Sequence, residues 1–286
     1  MQYAIIDIGS NSVRYLLYDP NRLGEKQLST TRIGEGLSST NSTLLPHAME
    51  RTVYAVAEFA EMGRTAGAQV HCYATSAVRD APNKQEFLDL VEAACGFQVD
   101  VLSGEQEAEI AYLGAAGGDG AILDIGGGST EIVYMQKKRL ITNSLRMGCV
   151  RLLAIDDCTG IVNGEKLLQA ASALFPSFSP LPSRWTGVGG TVTSLAAILL
   201  GLDTYDPQAV HGYGVARDAL EALYDRLCSL NYEQRKHQRD IPPHRIDTIV
   251  TGAAILLAFM RKYSIRQIFA SERDGMEGYA LKYLAQ

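Results

Sequence analysis

One repeat constrains the fold of this chain more than anything else in it. Ala4–Tyr18 reads AIIDIGSNSVRYLLY and Ala121–Tyr134 reads AILDIGGGSTEIVY, 117 residues further on. Each begins with a short apolar run and reaches Asp-Ile-Gly. Each then passes through a small polar turn into a second β-rich run, so each reads as strand, turn, strand. Asp7 falls on Asp124, Gly9 on Gly126 and Ser12 on Ser129. A single repeat of so long a period implies two related lobes rather than a solenoid. The glycines at Gly126, Gly127 and Gly128 allow positive φ and let a ligand approach bare N–H groups. Consecutive N–H groups in such a turn make a concave anion site. A carboxylate beside an anion site makes sense if a divalent cation sits between them. The plainer reading of either copy is a tight hairpin with a solvated Asp. Duplication favours a phosphate site in a cleft between lobes, built from Gly9, Ser10, Asn11 and Ser12 on one side and Gly126–Ser129 on the other.

The rest of the chain extends this plan. Residues 3–9, 13–19 and about 27–33 read as strands, with a turn at 19–24, and 33–37 reads as a glycine-rich loop that is either a connector or ligand-facing. Leu45–Ala66 has helical spacing. Val70–Thr75 and Phe97–Leu102 read as strands, with a helix between them that ends at Cys95. Ala74–Asp80 offers small hydroxyl residues and Arg79, which suits an anion, although Arg79 also fits a pair with Asp80. Ser103 and Gln106 form a capping box, so a helix starts there. Glu107 lies on its apolar side with Ile110, Ala111 and Gly114. It reads either as a first-turn acid or as a general base. Residues 117–120 are the expected hinge between a lobe at 1–117 and a lobe at 118–286.

The second lobe repeats the order with strands at 121–124, 130–135 and 139–145, then a helical stretch from Arg151. Pro176, Pro180 and Pro182 interrupt the chain. Thr186–Thr191, containing Gly189, Gly190 and Thr191, is a glycine turn opening a helix over Val192–Leu200, a favourable place for an anion or for close packing. Helices are expected at 217–230, 246–263 and 274–284, a strand at 266–270, and a solvated basic rim at 234–245. Three strands followed by alternating helices and strands, twice over, is a duplicated ribonuclease-H-like α/β plan.

Bulk numbers narrow the function. Apolar content of 47% and charged content of 20% in 286 residues are those of a water-soluble globular chain. A net charge of −6 argues against general nucleic-acid binding. Met1-Gln2-Tyr3 runs straight into a strand, so no secretory leader is expected and a cytoplasmic location is. The apolar run Ile249–Met260 is too short to span a bilayer, so no membrane association is expected. The five cysteines and five histidines show no disulfide or zinc spacing.

Six segments together resemble the Ppx/GppA phosphatases, the exopolyphosphatase and guanosine-pentaphosphate phosphohydrolase family of the actin, sugar-kinase and Hsp70 superfamily. They are Asp7–Arg14, Ala74–Asn83, Ser103–Glu109, DIGGGSTE at Asp124–Glu131, Arg146–Arg151 and Gly187–Ala197. The resemblance covers essentially the whole chain and is to the short members without an HD-type C-terminal domain. It departs at Gln106, where the family commonly has the first of two adjacent glutamates, Glu107 matching the second, and at Ser271–Gly278, where a glycine–leucine–arginine segment is usual.

The resemblance implies hydrolysis of a terminal phosphoanhydride in inorganic polyphosphate or guanosine pentaphosphate, with Mg²⁺ as cofactor. Asp7, Asp124 and Glu131 would hold the metal, Glu107 would act as base, and Arg79 would neutralise phosphate charge. Gly9–Ser12, Gly126–Ser129 and Gly189–Thr191 would bind phosphate. Arg14 reads equally as a contact or a structural residue. Family members are often dimers, so a homodimer is an expectation. A kinase of the same fold and a non-catalytic alarmone sensor are the competing readings.

Overall fold

The computed structural model describes residues 2–19, 22–37, 42–115, 120–137, 139–177 and 182–284. Most of the expected hinge at 117–120, part of the 19–24 turn, and Pro180 lie outside the described residues.

The first sheet contains β1 (Tyr3–Ile8), β2 (Val13–Asp19), β3 (Arg22–Ser29), β4 (Gln69–Ala74) and β5 (Asp100–Val101) in the order β3-β2-β1-β4-β5. Strand β1 is antiparallel to β2 and parallel to β4. The second sheet contains β6 (Ala121–Ile125), β7 (Thr130–Gln136), β8 (Arg139–Leu145), β9 (Trp185–Val188), β10 (Gly214–Ala216) and β11 (Gln267–Ala270). Its order is β10-β11-β9-β6-β7-β8. Read from β8, it repeats the first sheet's order and adds β10 as an antiparallel edge. The duplication seen in the sequence is therefore a duplication of topology, and the expected ribonuclease-H-like plan holds in both lobes.

Three expectations shift. The third strand begins at Arg22 rather than near 27, the run Phe97–Leu102 pairs only over Asp100–Val101, and the helix expected from Arg151 is one short turn at Cys149–Leu152 with a longer helix at Gly164–Leu174. Among the described residues no helix is long and apolar enough to cross a membrane.

Strand β1 is buried on both faces, as a near-continuous apolar run in a parallel-type sheet should be. Ala4, Ile6 and Ile8 pack with Val56, Phe59 and Ala60 of the Pro46–Thr65 helix. Ile5 instead packs with Tyr73, Ile110, Met276 and Tyr279. The far face of the first sheet is thus closed by the last described segment of the chain. The Gly104–Gly114 helix precedes the second lobe in sequence, yet its Ala108 and Ala111 pack on Ile122, Val133 and Val188 of the second sheet. The two lobes exchange covering helices across the cleft.

These covering helices touch almost backbone to backbone. A Cβ on Gly114 would lie 1.7 Å from the carbonyl oxygen of Asp274, and one on Gly278 would lie 1.7 Å from that of Ile110. Both obstacles are main-chain atoms, so no rotamer change relieves them. Gly114→Ala should destabilise the protein by about 1–3 kcal/mol, the usual cost of overpacking. Urea unfolding followed by far-UV circular dichroism would measure this, and a midpoint equal to wild type would refute the contact.

Candidate active site

Both Asp-Ile-Gly turns face one chamber between the lobes. The Gly9 amide bonds the Ser12 carbonyl at 3.1 Å, and the Gly126 amide bonds the Ser129 carbonyl at 3.0 Å, so the two turns share one geometry. In the first, the carbonyls of Ser10 and Asn11 accept from Gly34 and Arg32. In the second, those of Gly126 and Gly127 accept from Cys149 and Val150, and that of Gly128 accepts from Arg151 Nε at 2.7 Å. Each turn therefore has carbonyls tied back into its own lobe. The amides of Gly127 and Gly128 have no acceptor among the described residues, which is the arrangement an anion needs.

None of Gly9, Gly126, Gly127 and Gly128 takes a positive φ, contrary to the expectation for the triple glycine. Their missing side chains serve close approach instead. A Cβ on Gly128 would lie 2.5 Å from Ser10 Oγ and 2.3 Å from Ser76 Oγ. Positive φ is found at Gly189, where a Cβ would also meet Asp124 Oδ1 at 2.6 Å.

The chamber is lined by Asp7, Gly9–Ser12, Glu107, Asp124, Gly126–Ser129, Gly189 and Gly190, all expected from the sequence. Three expected residues do not line it. Thr191 is buried, with its methyl against Gly252. Arg79 sits one shell back and donates from Nη1 to Glu107 at 2.8 Å and to the Leu102 carbonyl at 3.1 Å. It also lies 3.4 Å from Asp80, so the two readings of Arg79 coexist. Glu131 is buried behind Asp124 and accepts from Ser144 Oγ at 2.7 Å.

The register explains the charge balance. Asp7 is the direct partner of Arg14 across β1 and β2, and Asp124 is the direct partner of Glu131 across β6 and β7. Equivalent positions thus carry a neutralised pair in the first lobe and a like-charge pair in the second, and like charges directly opposite destabilise a sheet. Arg14 donates to Asp7 through Nε at 2.9 Å and to Asp274 through Nη1 at 2.5 Å. Burial would raise the Asp274 carboxyl, but Arg14 and Lys26 outweigh it and hold it well below the usual range. No such partner rescues Asp124. Burial pushes it up to about 7, against the pull of Arg14 and with added repulsion from Asp274 and Asp7. Glu107 is likewise pushed up to about 7 by burial, which outweighs Arg79. Burial and then Glu107 and Asp124 raise Glu131 well above its ordinary value.

Two side chains were not anticipated. Arg235 and Arg245 come from the segment expected to be a solvated rim, and both are buried. Arg235 is structural and donates to the main-chain carbonyls of Leu227, Leu230 and Cys158. Arg245 reaches the cleft. A Cβ on Gly190 would lie 1.7 Å from its Nη2, and its Nε has no partner among the described residues. Gly190 was the available signal, since a glycine in a turn marks a place where something comes close.

For a divalent cation the fitting donors are Asp7 and Asp124. Among the described residues Asp7 Oδ1 is buried without a hydrogen-bond partner, and Asp124 is a partly buried carboxylate short of positive charge. Among the described residues no three acidic, histidine or cysteine side chains converge as a ready ligand set.

The raised carboxyls fix a sign for stability. A raised acid binds more protons folded than unfolded, so stability falls as pH climbs from the unfolded value toward the folded one. Metal-free protein should lose thermal stability between about pH 4 and 7. Asp124→Asn should flatten that loss, and Mg²⁺ should raise Tm more at pH 8 than at pH 6. Thermal scans in chelator and in Mg²⁺ would check this, and a rise in metal-free stability over that range would overturn the assignment.

Comparison with known proteins agrees with this architecture. The profile of the Ppx/GppA phosphatase family matches residues 23–286. Exopolyphosphatase 2 of Mycobacterium tuberculosis is 32% identical over 312 residues, covering 97% of both chains. The guanosine-5'-triphosphate,3'-diphosphate pyrophosphatase of Photobacterium profundum is 30% identical over 300 residues, covering 96% of this chain and 58% of that one. The solved PPX-GPPA enzyme of Aquifex aeolicus superposes with a TM-score of 0.79 at 28% identity, over 98% of this chain and 99% of that one. A model match over most of the chain, with relatives above 30% identity, shows that the chain belongs to the Ppx/GppA phosphatase family.

Proposed function

We propose that the protein releases terminal phosphate from inorganic polyphosphate by Mg²⁺-assisted attack of water, with guanosine pentaphosphate as the alternative substrate. Family membership supports the reaction class, phosphoanhydride hydrolysis. The observation that carries the mechanism is Glu107, a carboxyl pushed to about 7 in a chamber lined by two anion-binding turns.

Phosphoryl transfer depends on positioning and charge stabilisation more than on covalent help. In this proposal the free amides of Gly127 and Gly128 and the Ser10–Ser12 turn hold the terminal phosphoryl oxygens. Arg245 supplies positive charge from the second lobe. Asp7 and Asp124 would hold Mg²⁺, which neutralises and orients the phosphate oxygens when bound. Glu131, directly across from Asp124, adds negative charge that would favour a cation there. Glu107 accepts a proton from the attacking water, and its elevated pKa matches a base working near neutrality. Arg79 fixes the Glu107 carboxylate through its 2.8 Å bond, and the Ser103–Gln106 capping box fixes the helix beneath it.

Two outcomes test the reading. Glu107→Gln should lower kcat by about 10²–10⁴-fold while leaving phosphate binding in place. For wild type, log kcat/KM should rise with pH and level off above about pH 7, where Glu107 is ionised. Phosphate release from long polyphosphate, guanosine pentaphosphate and ATP, assayed side by side without an acceptor, would check both. Full turnover by Glu107→Gln would remove the base assignment, and strict dependence on an acceptor would favour a kinase.

A further inference from the structure

Strands β9 and β11 lead at their C-terminal ends into Gly189 and Ser271 respectively, the usual end for a ligand in an open α/β sheet. At the opposite, N-terminal ends of the same two strands lies a separate pocket of about 360 Å³. It shares no lining residue with the candidate active site. Trp185 and Tyr263, both buried, form its inner wall. The indole N–H donates to the Pro182 carbonyl at 3.1 Å, and the Tyr263 hydroxyl donates to the Pro176 carbonyl. The polar atoms of that wall are engaged, and what it presents is aromatic surface.

The mouth is different. Thr186 pairs with Phe269 across β9 and β11, so Arg184, two residues before Thr186, falls on the same face of the sheet as Phe269. Its guanidinium sits over the Phe269 ring, with Cζ 4.9 Å from the ring centre. A contact made through the ring face leaves the N–H donors of the guanidinium uncommitted. Arg266 stands at the start of β11, where its carbonyl accepts from the Arg217 amide at 2.9 Å. Neither the Arg184 nor the Arg266 head group has a hydrogen-bond or carboxylate partner among the described residues. Ser183, Ser264 and Gln267 add groups that can donate, and no acidic side chain lines the pocket. In a chain of net charge −6, two arginines in one pocket without an acid run against the overall balance.

A pocket with cationic donors and no carboxylate suits an anion. Its donors come from the residues before β9, from the turn before β11 and from β11 itself. A tetrahedral oxyanion accepts from several directions at once, whereas a planar carboxylate is served by a single guanidinium fork. The volume is that of a small-molecule site, and the aromatic wall leaves room for an organic group beside the anion. We propose that this pocket binds a phosphate dianion, free or as the head group of a small organic phosphate, through Arg184 and Arg266. The site is remote from the hydrolytic chamber, does not depend on the hydrolase reading, and is tested by binding alone.

Trp185 is the only tryptophan in the chain, so tryptophan fluorescence reads this pocket without background. The test is titration of the full chain with inorganic phosphate, phenyl phosphate and benzoate at constant ionic strength, in wild type, Arg184→Gln and Arg266→Gln. Both phosphates should give a saturable change in wild type, and benzoate should bind at least about five-fold more weakly. Each arginine variant should weaken phosphate binding by about five-fold or more, the lower range for hydrogen bonds to a charged group at a solvent-open site. Its unliganded Tm should match wild type, since both head groups reach solvent. Tighter binding of phenyl phosphate upholds the site with an organic phosphate as occupant, and equal affinity upholds it with free phosphate. No saturable change with either phosphate, or equal affinity for benzoate, would overturn the site. So would a change that survives in both arginine variants, because it would originate in the chamber at the other end of β9.

Discussion

The site depends on a repulsion. Asp124 and Glu131 face each other across neighbouring strands in a buried place, where the first lobe has Asp7 and Arg14. At this register position the two repeated strand–turn–strand units differ by a charge reversal. The first lobe satisfies its own carboxylate. The second does not, and its acids are pushed toward their protonated forms by burial and by one another. An acid cluster of this kind is costly unless a cation or a cationic side chain joins it. The cleft is therefore chemically lopsided although its architecture is nearly symmetric.

Much of this was legible in the sequence because its signals are local. A strand that stops at Asp-Ile-Gly, a capping box at Ser103 and an apolar helix face bearing Glu107 each occupy a few residues, and each appears where expected. The repeated sheet order follows from the repeated strand–turn–strand unit. What stayed illegible depends on partners distant in the chain. Arg79 had a neighbour in Asp80, but its closer carboxylate is Glu107, 28 residues away. Arg235 and Arg245 sit in a polar stretch with every mark of a solvated rim, and only the fold closing over them makes them interior. The triple glycine was a different kind of miss. Position was read correctly, but the expected positive φ is absent, and close approach by the opposite lobe stands in its place.

The same long-range logic ties the first sheet to a distant turn. Arg14 is held by Asp7 and by Asp274. Lys26 in turn bridges Asp274 and Glu277. This ladder of alternating charge ties β1, β2 and β3 to the 271–278 turn at the edge of the cleft.

The exchange of covering helices bears on how the molecule is made. The far face of the first sheet is closed by Met276, Tyr279 and Ala280, more than 200 residues after the strand residues they protect. During vectorial synthesis the first sheet's apolar face therefore stays open until residues 276–280 have emerged, so burial of β1 on both faces waits until the second sheet has been made.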